Sequence, residues 1–372
     1  MRRIALAVGL VAVACGSNPA SGTPLPDGGV DAPPPQGDSG PLMTSFAFVG
    51  CNRLDKGDWD PVANPSSANV PQLSQTFADL AATSPLPQLF FMTGDLVLGL
   101  SDAPTLSGQL AAWTPLWKAS KPTTLVPLPG NHEMLVKQKV NGTTVEVSNP
   151  GADAAWTQWL SASGFGAFAG NGPTMGSDPG DALKDDQSAL SYSFDQGGLH
   201  FVLLNTDTWT STADAATLTK IGWIPLQWLK SDLAAAQANA SVSAIFVLGH
   251  KPLVSPKGDT AYDATVEASL VPAIEQLLDA NAKVKAYLAA HAHSWDAQKL
   301  PGARGVYQIV AGNGGSAPSG SWANPFFGFT EVRVYEGGRV GVVSHQRPVP
   351  TPYSSAAVSK AVAGAELLIA GP

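Results

Sequence analysis

Short apolar runs alternate with longer amphipathic segments from residue 44 onward. The short runs are rich in Val, Leu, Phe and Ile, which is typical of buried strands. They predict strands over residues 46–49, 89–92, 124–127, 199–204, 244–248, 284–288, 306–310, 330–335 and 340–343. The longer segments repeat their apolar residues with helical spacing and predict helices over residues 71–82, 106–118, 154–161, 225–238 and 264–280. Alternating strands and helices indicate an α/β fold.

Three segments fall outside this alternation. Residues 16–42 are mainly Ser, Pro, Gly and Asp, and so few large apolar side chains predict a disordered tether. Residues 133–191 are rich in Gly, Asp and Asn and are too long for a plain connection, so we expect an insertion that forms a lid or a wall. The folded domain is therefore expected over residues 43–350, with a C-terminal tail over residues 351–372.

The first fifteen residues have the layout of an export signal. Two arginines precede an apolar run over residues 4–13, which is too short to span a bilayer. Cys15 then resembles the acylated cysteine of a bacterial lipoprotein signal, although Ala12 stands where such signals usually carry Leu. Residues 12–14 also fit ordinary signal cleavage, which leaves complete release as the alternative. We expect export to the bacterial envelope, outer membrane or periplasm, with lipid at Cys15 as the only membrane attachment.

The charge and cysteine content narrow the choice of partners. The 372 residues carry a formal net charge of -8 with only 13% charged side chains, so no basic stripe could neutralise a phosphate backbone. We therefore expect no nucleic acid partner. The chain has two cysteines, and if Cys15 carries lipid, Cys51 has no partner for an intramolecular disulfide. The presence of Cys51 then needs another explanation.

Small or polar residues follow nearly every predicted strand. They are Gly50-Cys51-Asn52-Arg53, Gly94-Asp95, Gly130-Asn131-His132-Glu133, Asn205-Thr206-Asp207, Gly249-His250, His291-Ala292-His293 and Gly312-Asn313. Ligands of open α/β sheets bind at the carboxyl ends of the strands, so these groups are expected to meet in one crevice. Imidazole combined with carboxylate and amide oxygen suits iron, zinc or manganese better than calcium. The residues that follow the predicted strands therefore predict a transition-metal site.

Four of these blocks resemble, in order and in spacing, four of the five signature blocks of calcineurin-like metallophosphoesterases, a family that includes the purple acid phosphatases. The four are Gly94-Asp95, Gly130-Asn131-His132-Glu133, Gly249-His250 and His291-Ala292-His293. The resemblance spans most of residues 44–345. It implies a four-layer α-β-β-α sandwich with two mixed sheets. It also implies hydrolysis of a small phosphorylated substrate by in-line attack of a hydroxide that one or two transition metals activate.

The resemblance further implies a role for each matching residue. Asp95 would be the carboxylate that bridges two metals. Asn131, His250 and His291 would complete the coordination of the second metal, and His293 would bind the first. The remaining candidates from the strand exits would support the ligands or line the substrate pocket, and they are Asn52, Glu133, Asp207, Trp295 and Asn313.

The first block departs from the family pattern. The family usually has Asp-x-His there, whereas this chain has Cys51-Asn52-Arg53. Cys51 would replace the Asp ligand as a thiolate, as in the alkaline phosphatase D group, and the alternative is a buried inert thiol. Leu98 stands where purple acid phosphatases carry Tyr, so we expect no iron-tyrosinate feature.

Two residues are expected to act on the substrate. Arg53 replaces the His ligand, and its forked donors suit a phosphate oxygen better than a metal. The alternative for Arg53 is an ion pair with Asp55 or Asp58. His132 would lie outside the metal coordination and act on the phosphate or on the leaving oxygen.

A second hypothesis starts from the loss of the Asp-x-His block. The chain would then be a catalytically weak or inactive protein of the same fold that binds a phosphorylated or cell-envelope ligand without turnover. The number of bound metals separates the two hypotheses. The sequence leaves the substrate open among monoester, diester, pyrophosphate and phospholipid, and it indicates no oligomeric state.

Overall fold

The computed structural model describes residues 40–140, 142–149, 151–208, 222–257, 265–301 and 305–371. The predicted signal with Cys15, and most of the predicted tether, lie outside these ranges. In chain order the strands are β1 Leu42–Val49, β2 Leu89–Thr93, β3 Thr124–Leu128, β4 Leu135–Val140, β5 Thr143–Ser148, β6 Tyr192–Gln196, β7 Leu199–Leu204, β8 Ala244–Gly249, β9 Val284–Ala289, β10 Trp295–Lys299, β11 Tyr307–Ala311, β12 Phe326–Tyr335, β13 Val340–Pro348, β14 Val362–Ala363 and β15 Leu367–Ala370. The helices are α1 Val70–Ala81, α2 Ala103–Ser120, α3 Asn131–Met134, α4 Ala152–Ser163, α5 Leu226–Ala238 and α6 Val271–Ala280, with one 3-10 turn at Glu336–Gly338.

Two large mixed sheets form the centre of the domain. The first has the order β14-β13-β12-β1-β2-β3, and β15 also pairs with β13. The second has the order β10-β11-β9-β8-β7-β6. Strands β1, β2 and β3 are parallel to one another, as are β7, β8, β9 and β11. The carboxyl ends of these parallel strands therefore share one edge of each sheet.

Alternating side chains assign the faces of each sheet. Phe46 and Phe48 of β1 belong to the apolar cluster between the two sheets. Ala47 and Val49, one position along, belong to the cluster that β1 shares with α1, α2 and α4. On the other sheet, Val247 of β8 packs in the cluster that contains α5 and α6. Helices thus cover both outer faces, and the predicted four-layer α-β-β-α sandwich is confirmed.

Most of the predicted strands and helices lie close to observed ones. The helix predicted over residues 264–280 begins only at Val271, since Pro272 occupies its first turn. Residue 264 lies outside the described residues. The insertion over residues 133–191 contains part of α3, the β4–β5 hairpin and α4, of which only α4 was predicted.

The segment predicted as a C-terminal tail packs against the domain. Strands β14 and β15 both pair with β13 and extend the first sheet. The hydroxyl of Tyr353 donates to Asp58 Oδ2 at 3.0 Å and accepts from the backbone N–H of Asp55 at 3.0 Å. The domain therefore continues past residue 350. The two strands are two and four residues long, too short for their periodicity to be recognised in the sequence.

Within the described ranges, no helix is both long enough and apolar enough to cross a bilayer.

His200 links the second sheet to helix α5 and predicts a pH-dependent stability. Its Nδ1 lies 2.7 Å from Asp195 Oδ1, and its Nε2 lies 3.0 Å from Asp232 Oδ2. Burial lowers the pKa of His200, but the two carboxylates outweigh burial and raise it. The stabilisation from this pair of contacts should be complete below the unfolded pKa of about 6.5 and should be lost as the pH rises through the higher folded pKa.

We expect His200→Gln to lower the urea midpoint of unfolding more at pH 5.5 than at pH 9. Asp232→Asn should reproduce part of this effect, because it removes one of the two carboxylates. Equal losses at both pH values would contradict the assignment of a protonated His200.

Candidate metal centre

The six predicted metal ligands all follow parallel strands of the two sheets. Cys51, Asp95 and Asn131 follow β1, β2 and β3 of the first sheet, whereas His250 follows β8 and the His291–His293 turn follows β9 of the second. Every one of these side chains is at least nine-tenths buried. The structure therefore brings the predicted ligands to one edge of the sandwich, where the carboxyl ends of both sheets meet.

Three of these residues have a left-handed backbone. The φ angles of Cys51, Asp95 and His291 are 58°, 56° and 60°. A non-glycine residue in this region costs about 1–3 kcal/mol, and such strain persists only where the surroundings hold it in place. The strain thus lies at the candidate ligands themselves.

Two glycines let the strand exits approach each other closely. A Cβ at Gly130 would lie 2.5 Å from Asp95 Oδ1 and 2.9 Å from His250 Cε1. A Cβ at Gly94 would collide with the His250 ring, and the φ of Gly94 is +87°. Only glycine fits both positions without displacing a candidate ligand.

Glu133 holds the β2 and β3 exits together. Its carboxylate accepts hydrogen bonds from the backbone N–H groups of Asp95 at 2.9 Å, Leu96 at 2.8 Å, Val97 at 3.2 Å and Gly130 at 2.8 Å. Burial and the neighbouring Asp95 raise the pKa of Glu133 to about 7, while the N–H donors of Gly130 and Val97 act in the opposite direction. Glu133 therefore supports the ligand loops and is not itself a ligand.

Four donor atoms form a compact cluster on one side of Asp95. His250 Nε2 lies 3.1 Å from Asp95 Oδ1, 3.1 Å from Asn131 Oδ1 and 3.1 Å from His291 Nδ1. His291 Nδ1 also lies 3.1 Å from Asn131 Oδ1. Donors at about 2.0–2.1 Å from a common zinc ion would be separated by roughly 2.9–3.4 Å in a tetrahedral or octahedral arrangement. The spacing of the cluster thus fits a single transition-metal ion.

The tautomer and charge of His250 agree with this fit. Its Nδ1 is 2.7 Å from the Thr93 carbonyl oxygen, which fixes the proton on Nδ1 and leaves Nε2 for the cluster. Burial lowers the pKa of His250, but Asp95 and the Thr93 carbonyl outweigh it and raise the pKa. The contact with Thr93 therefore leaves Nε2 of His250 facing the other three donors.

A second cluster lies on the other side of Asp95. Cys51, Asp95 and His293 can each place one donor atom within 4.8 Å of the others, and Cys51 Sγ is 4.0 Å from Asp95 Oδ2. His293 Nδ1 is 2.8 Å from the Ala317 carbonyl oxygen, which directs its other ring nitrogen to metal binding. Asp95 thus presents Oδ1 to the cluster that contains His250 and Oδ2 to the cluster that contains Cys51.

Cys51 is fully buried and would have to lose its proton to bind a metal. Burial, followed by the charge of Asp95, raises the pKa of the Cys51 thiol well above its ordinary value, although Arg53 opposes this. A cation between Cys51 and Asp95 would reverse this balance, since a coordinating thiol is deprotonated by its metal. Metal binding at this cluster should therefore release a proton.

A pocket of about 680 Å³ is lined by three of the candidate ligands, Asp95, Asn131 and His291. Its wall includes both predicted substrate-acting residues, His132 and Arg53. Arg53 Nη1 pairs with Asp55 Oδ1 at 2.6 Å, and Arg53 Nε lies 3.9 Å from Asp95 Oδ2. The ion pair with Asp55 and the position in the pocket therefore coexist, although the sequence presented them as alternatives.

Burial favours the neutral form of the His132 ring. Its Nδ1 bonds to the Leu98 carbonyl oxygen, and its Nε2 lies 3.9 Å from Asp95 Oδ2. Burial lowers the pKa of His132 to about 3 even though Asp95 acts in the opposite direction. Because the carbonyl accepts from Nδ1, Nε2 of the neutral ring is the nitrogen with a lone pair.

The other predicted candidates lie at different distances from the centre. Asn52 is buried beneath it and donates to the Gly314 carbonyl at 2.8 Å. Asp207 forms a buried ion pair with Lys251, the residue after His250. Asn313 is buried in the exit of β11. Asn52 and Asp207 thus support neighbouring loops, and none of the three residues lines the pocket.

Trp295 does not lie in the pocket beside the metal clusters. It begins β10, donates from Nε1 to Thr330 Oγ1 at 3.0 Å, and lines a separate pocket of about 210 Å³ that includes Trp322. The sequence placed it near the site because it follows His293 closely. The strand that starts at Trp295 instead carries its side chain away from the metal clusters.

Several residues of the pocket wall were not predicted. They are Lys56 and Trp59 after the first block, and Lys137 and Glu146 on the β4–β5 hairpin. A signal for the hairpin was present, since Asn141-Gly142 separates two alternating segments and Asn-Gly favours a tight hairpin turn. Nothing in the sequence shows that this hairpin reaches the site.

Comparison with known proteins gave one family and several similar folds. The family model for the calcineurin-like phosphoesterases matches residues 57–295, which include every candidate ligand except Cys51. The comparison with curated proteins gave no match. The solved structures share the fold at low sequence identity.

Three of these structures illustrate the likeness. The purple acid phosphatase PPD1 from yellow lupin (Lupinus luteus) is 13% identical with a TM-score of 0.51, and the match covers 86% of this chain and 53% of that one. A dimetal phosphatase from Danio rerio is 13% identical with a TM-score of 0.52, over 88% of this chain and 99% of that one. PhoD is 11% identical with a TM-score of 0.55, over 85% and 67%. This chain thus spans about half the length of the lupin enzyme.

The close approach at Gly130 predicts that Gly130→Ala loses metal. The added methyl group would displace Asp95 or His250, and such overpacking typically costs about 1–3 kcal/mol. We expect metal content to fall and the metal-free protein to unfold at a lower temperature. Gly108→Ala is the matched control, because a Cβ at Gly108 in α2 meets nothing within 4 Å. Gly108→Ala should keep the metal and gain up to about 1 kcal/mol. Full metal content in Gly130→Ala would contradict the described approach.

Proposed function

The chain belongs to the calcineurin-like phosphoesterase family, and we propose that it hydrolyses small phosphate esters by in-line attack of water at a centre of two transition metals. Family membership identifies it as a phosphoesterase that uses divalent metals. The proposal of a centre with two metals is supported above all by the position of Asp95. Its two carboxylate oxygens face two different clusters of donors, His250 from Oδ1 and Cys51 from Oδ2.

The donor sets assign a different environment to each metal. Asp95, Asn131, His250 and His291 would hold one ion, and Cys51, Asp95 and His293 would hold the other. Thiolate and imidazole donors favour iron or zinc over magnesium or calcium at the cluster that contains Cys51. When bound, such a pair of ions lowers the pKa of the attacking water and neutralises charge on the phosphoryl oxygens.

Arg53 would bind the phosphate group. Asp55 occupies only one of its two terminal nitrogens, so guanidinium N–H donors remain for an anion in the pocket. The chain holds this fixed cation beside Asp95, on the side of Cys51. A phosphate oxygen there would be oriented by charge-assisted hydrogen bonds.

His132 would hold a proton for the leaving oxygen. Its ring is oriented by the Leu98 carbonyl, so Nε2 is the atom available on the pocket side. An anionic substrate close to Nε2 raises the pKa of the imidazole, because a nearby negative charge favours the protonated ring. His132 could then bind a proton at Nε2 and pass it to the leaving group.

We also infer that the enzyme acts outside the cytoplasm. The support is the N-terminal sequence alone, with its two arginines, short apolar run and Cys15. Lipid at Cys15 would tether the enzyme to the bacterial envelope, and cleavage after residue 14 without lipid would release it.

The ligand assignment predicts that Asp95→Ala and His250→Ala lose both metal and activity. A metal pair contributes several kcal/mol to stabilising the transition state, so hydrolysis of an aryl phosphate should fall about 100-fold or more. Elemental analysis and turnover should be measured on the same samples. Chelation followed by addition of zinc, iron or manganese should remove and then restore the activity of the wild type.

His200→Gln serves as the control, because His200 is a buried histidine on the far side of the second sheet, beside α5. It should retain metal and turnover at pH 7. Unchanged metal and turnover in both ligand variants would refute the assignment. Bound metal without turnover in the wild type would favour the ligand-binding hypothesis, which the Cys51-Asn52-Arg53 departure makes worth testing.

A further inference from the structure

The inserted β4–β5 hairpin touches a candidate metal ligand directly. Glu146 Oε2 on β5 accepts a hydrogen bond from Asn131 Nδ2 at 3.2 Å. At its other end, the same amide places Oδ1 at 3.1 Å from both His250 Nε2 and His291 Nδ1. Only the Asn131 side chain therefore lies between Glu146 and the candidate metal position.

The hairpin register holds Glu146 in this position. Lys137 of β4 stands directly opposite Glu146, and its Nζ lies 3.8 Å from Glu146 Oε1. Cross-strand pairs of opposite charge stabilise an antiparallel ladder. One oxygen of Glu146 thus faces Lys137 while the other faces Asn131.

The contact between Glu146 and Asn131 affects which end of the Asn131 amide faces the metal position. The two ends of the Asn131 side chain have nearly the same shape, but only the oxygen can bind a cation. A rotation of the amide by 180° would present an N–H₂ group to the metal. An ionised carboxylate is a hydrogen-bond acceptor only, so Glu146 favours the orientation in which Nδ2 points to it and Oδ1 points to the histidines.

We propose that Glu146 is a positioning residue that sets the affinity of the metal position formed by Asn131, His250 and His291. The proposal rests on the metal centre proposed above. Glu146 acts through Asn131, since neither donor cluster found among the described residues includes Glu146. The insertion, which the sequence suggested as a lid or a wall, then also supports a ligand.

The test is a titration of the metal-free full-length protein with Zn²⁺ by calorimetry. Loss of a group that orients a metal ligand typically weakens metal binding about 10- to 100-fold. We expect that loss in Glu146→Ala at one of the two metal positions, with the other position unchanged. Glu146→Gln retains an oxygen that can accept from Asn131 and should lose less than Glu146→Ala.

Two further variants separate positioning from damage to the hairpin. Thr144→Ala alters an exposed residue two positions earlier on the same strand and should bind Zn²⁺ as the wild type does. Asn131→Asp makes both ends of the ligand side chain oxygen, so orientation no longer matters. In that background, Glu146→Ala should cause no further loss of affinity.

Wild-type affinity in Glu146→Ala would overturn the proposal, and so would an equal loss in the Asn131→Asp background. Both results leave the proposed function intact, because the wild type would still bind two ions. A wild type that binds no second ion would instead overturn the proposed metal centre, and this inference with it.

Discussion

A single buried carboxylate joins two of the five strand exits that carry the metal centre. Glu133 accepts backbone hydrogen bonds from the loop after β2 and from Gly130 after β3. Without it, four buried N–H groups would lack partners, and each such loss costs about 1–3 kcal/mol. Glu133 holds the left-handed turn at Asp95, and the carboxylate of Asp95 then reaches both clusters of donors. Glu133 therefore holds the exits of β2 and β3 in the positions that the candidate ligands require.

The two metal positions differ in their chemistry. One has four donor atoms, of which His250 Nε2 lies 3.1 Å from each of the other three. The other has three protein donors, one of them the sulfur of Cys51, and so leaves coordination positions for water and substrate. Arg53 lies beside the metal position that contains Cys51, at the point in the sequence where the family usually has a histidine ligand. A fixed cation there favours an anionic substrate while the remaining donors hold the metal.

The sequence predicted the parts of the site that depend on local structure. Residues 199–204 form a strand with the predicted ends, and the polar strand exits meet because parallel strands end at one edge. What it missed depends on contacts between distant segments. Glu146 reaches Asn131 only through the placement of a hairpin, and β15 is recognisable only from its pairing with β13. Trp295 was misplaced because closeness in sequence to His293 did not fix the direction of its side chain.

The proposed centre of two metals depends on Cys51 and Asp95 acting together as ligands. Elemental analysis of the purified full-length chain, beside Cys51→Ser, tests it most directly. We expect two metal ions per chain in the wild type and one in Cys51→Ser, since the cluster of Asn131, His250 and His291 does not depend on the thiol. A wild type with one ion or none, or a Cys51→Ser variant that keeps both, would contradict it.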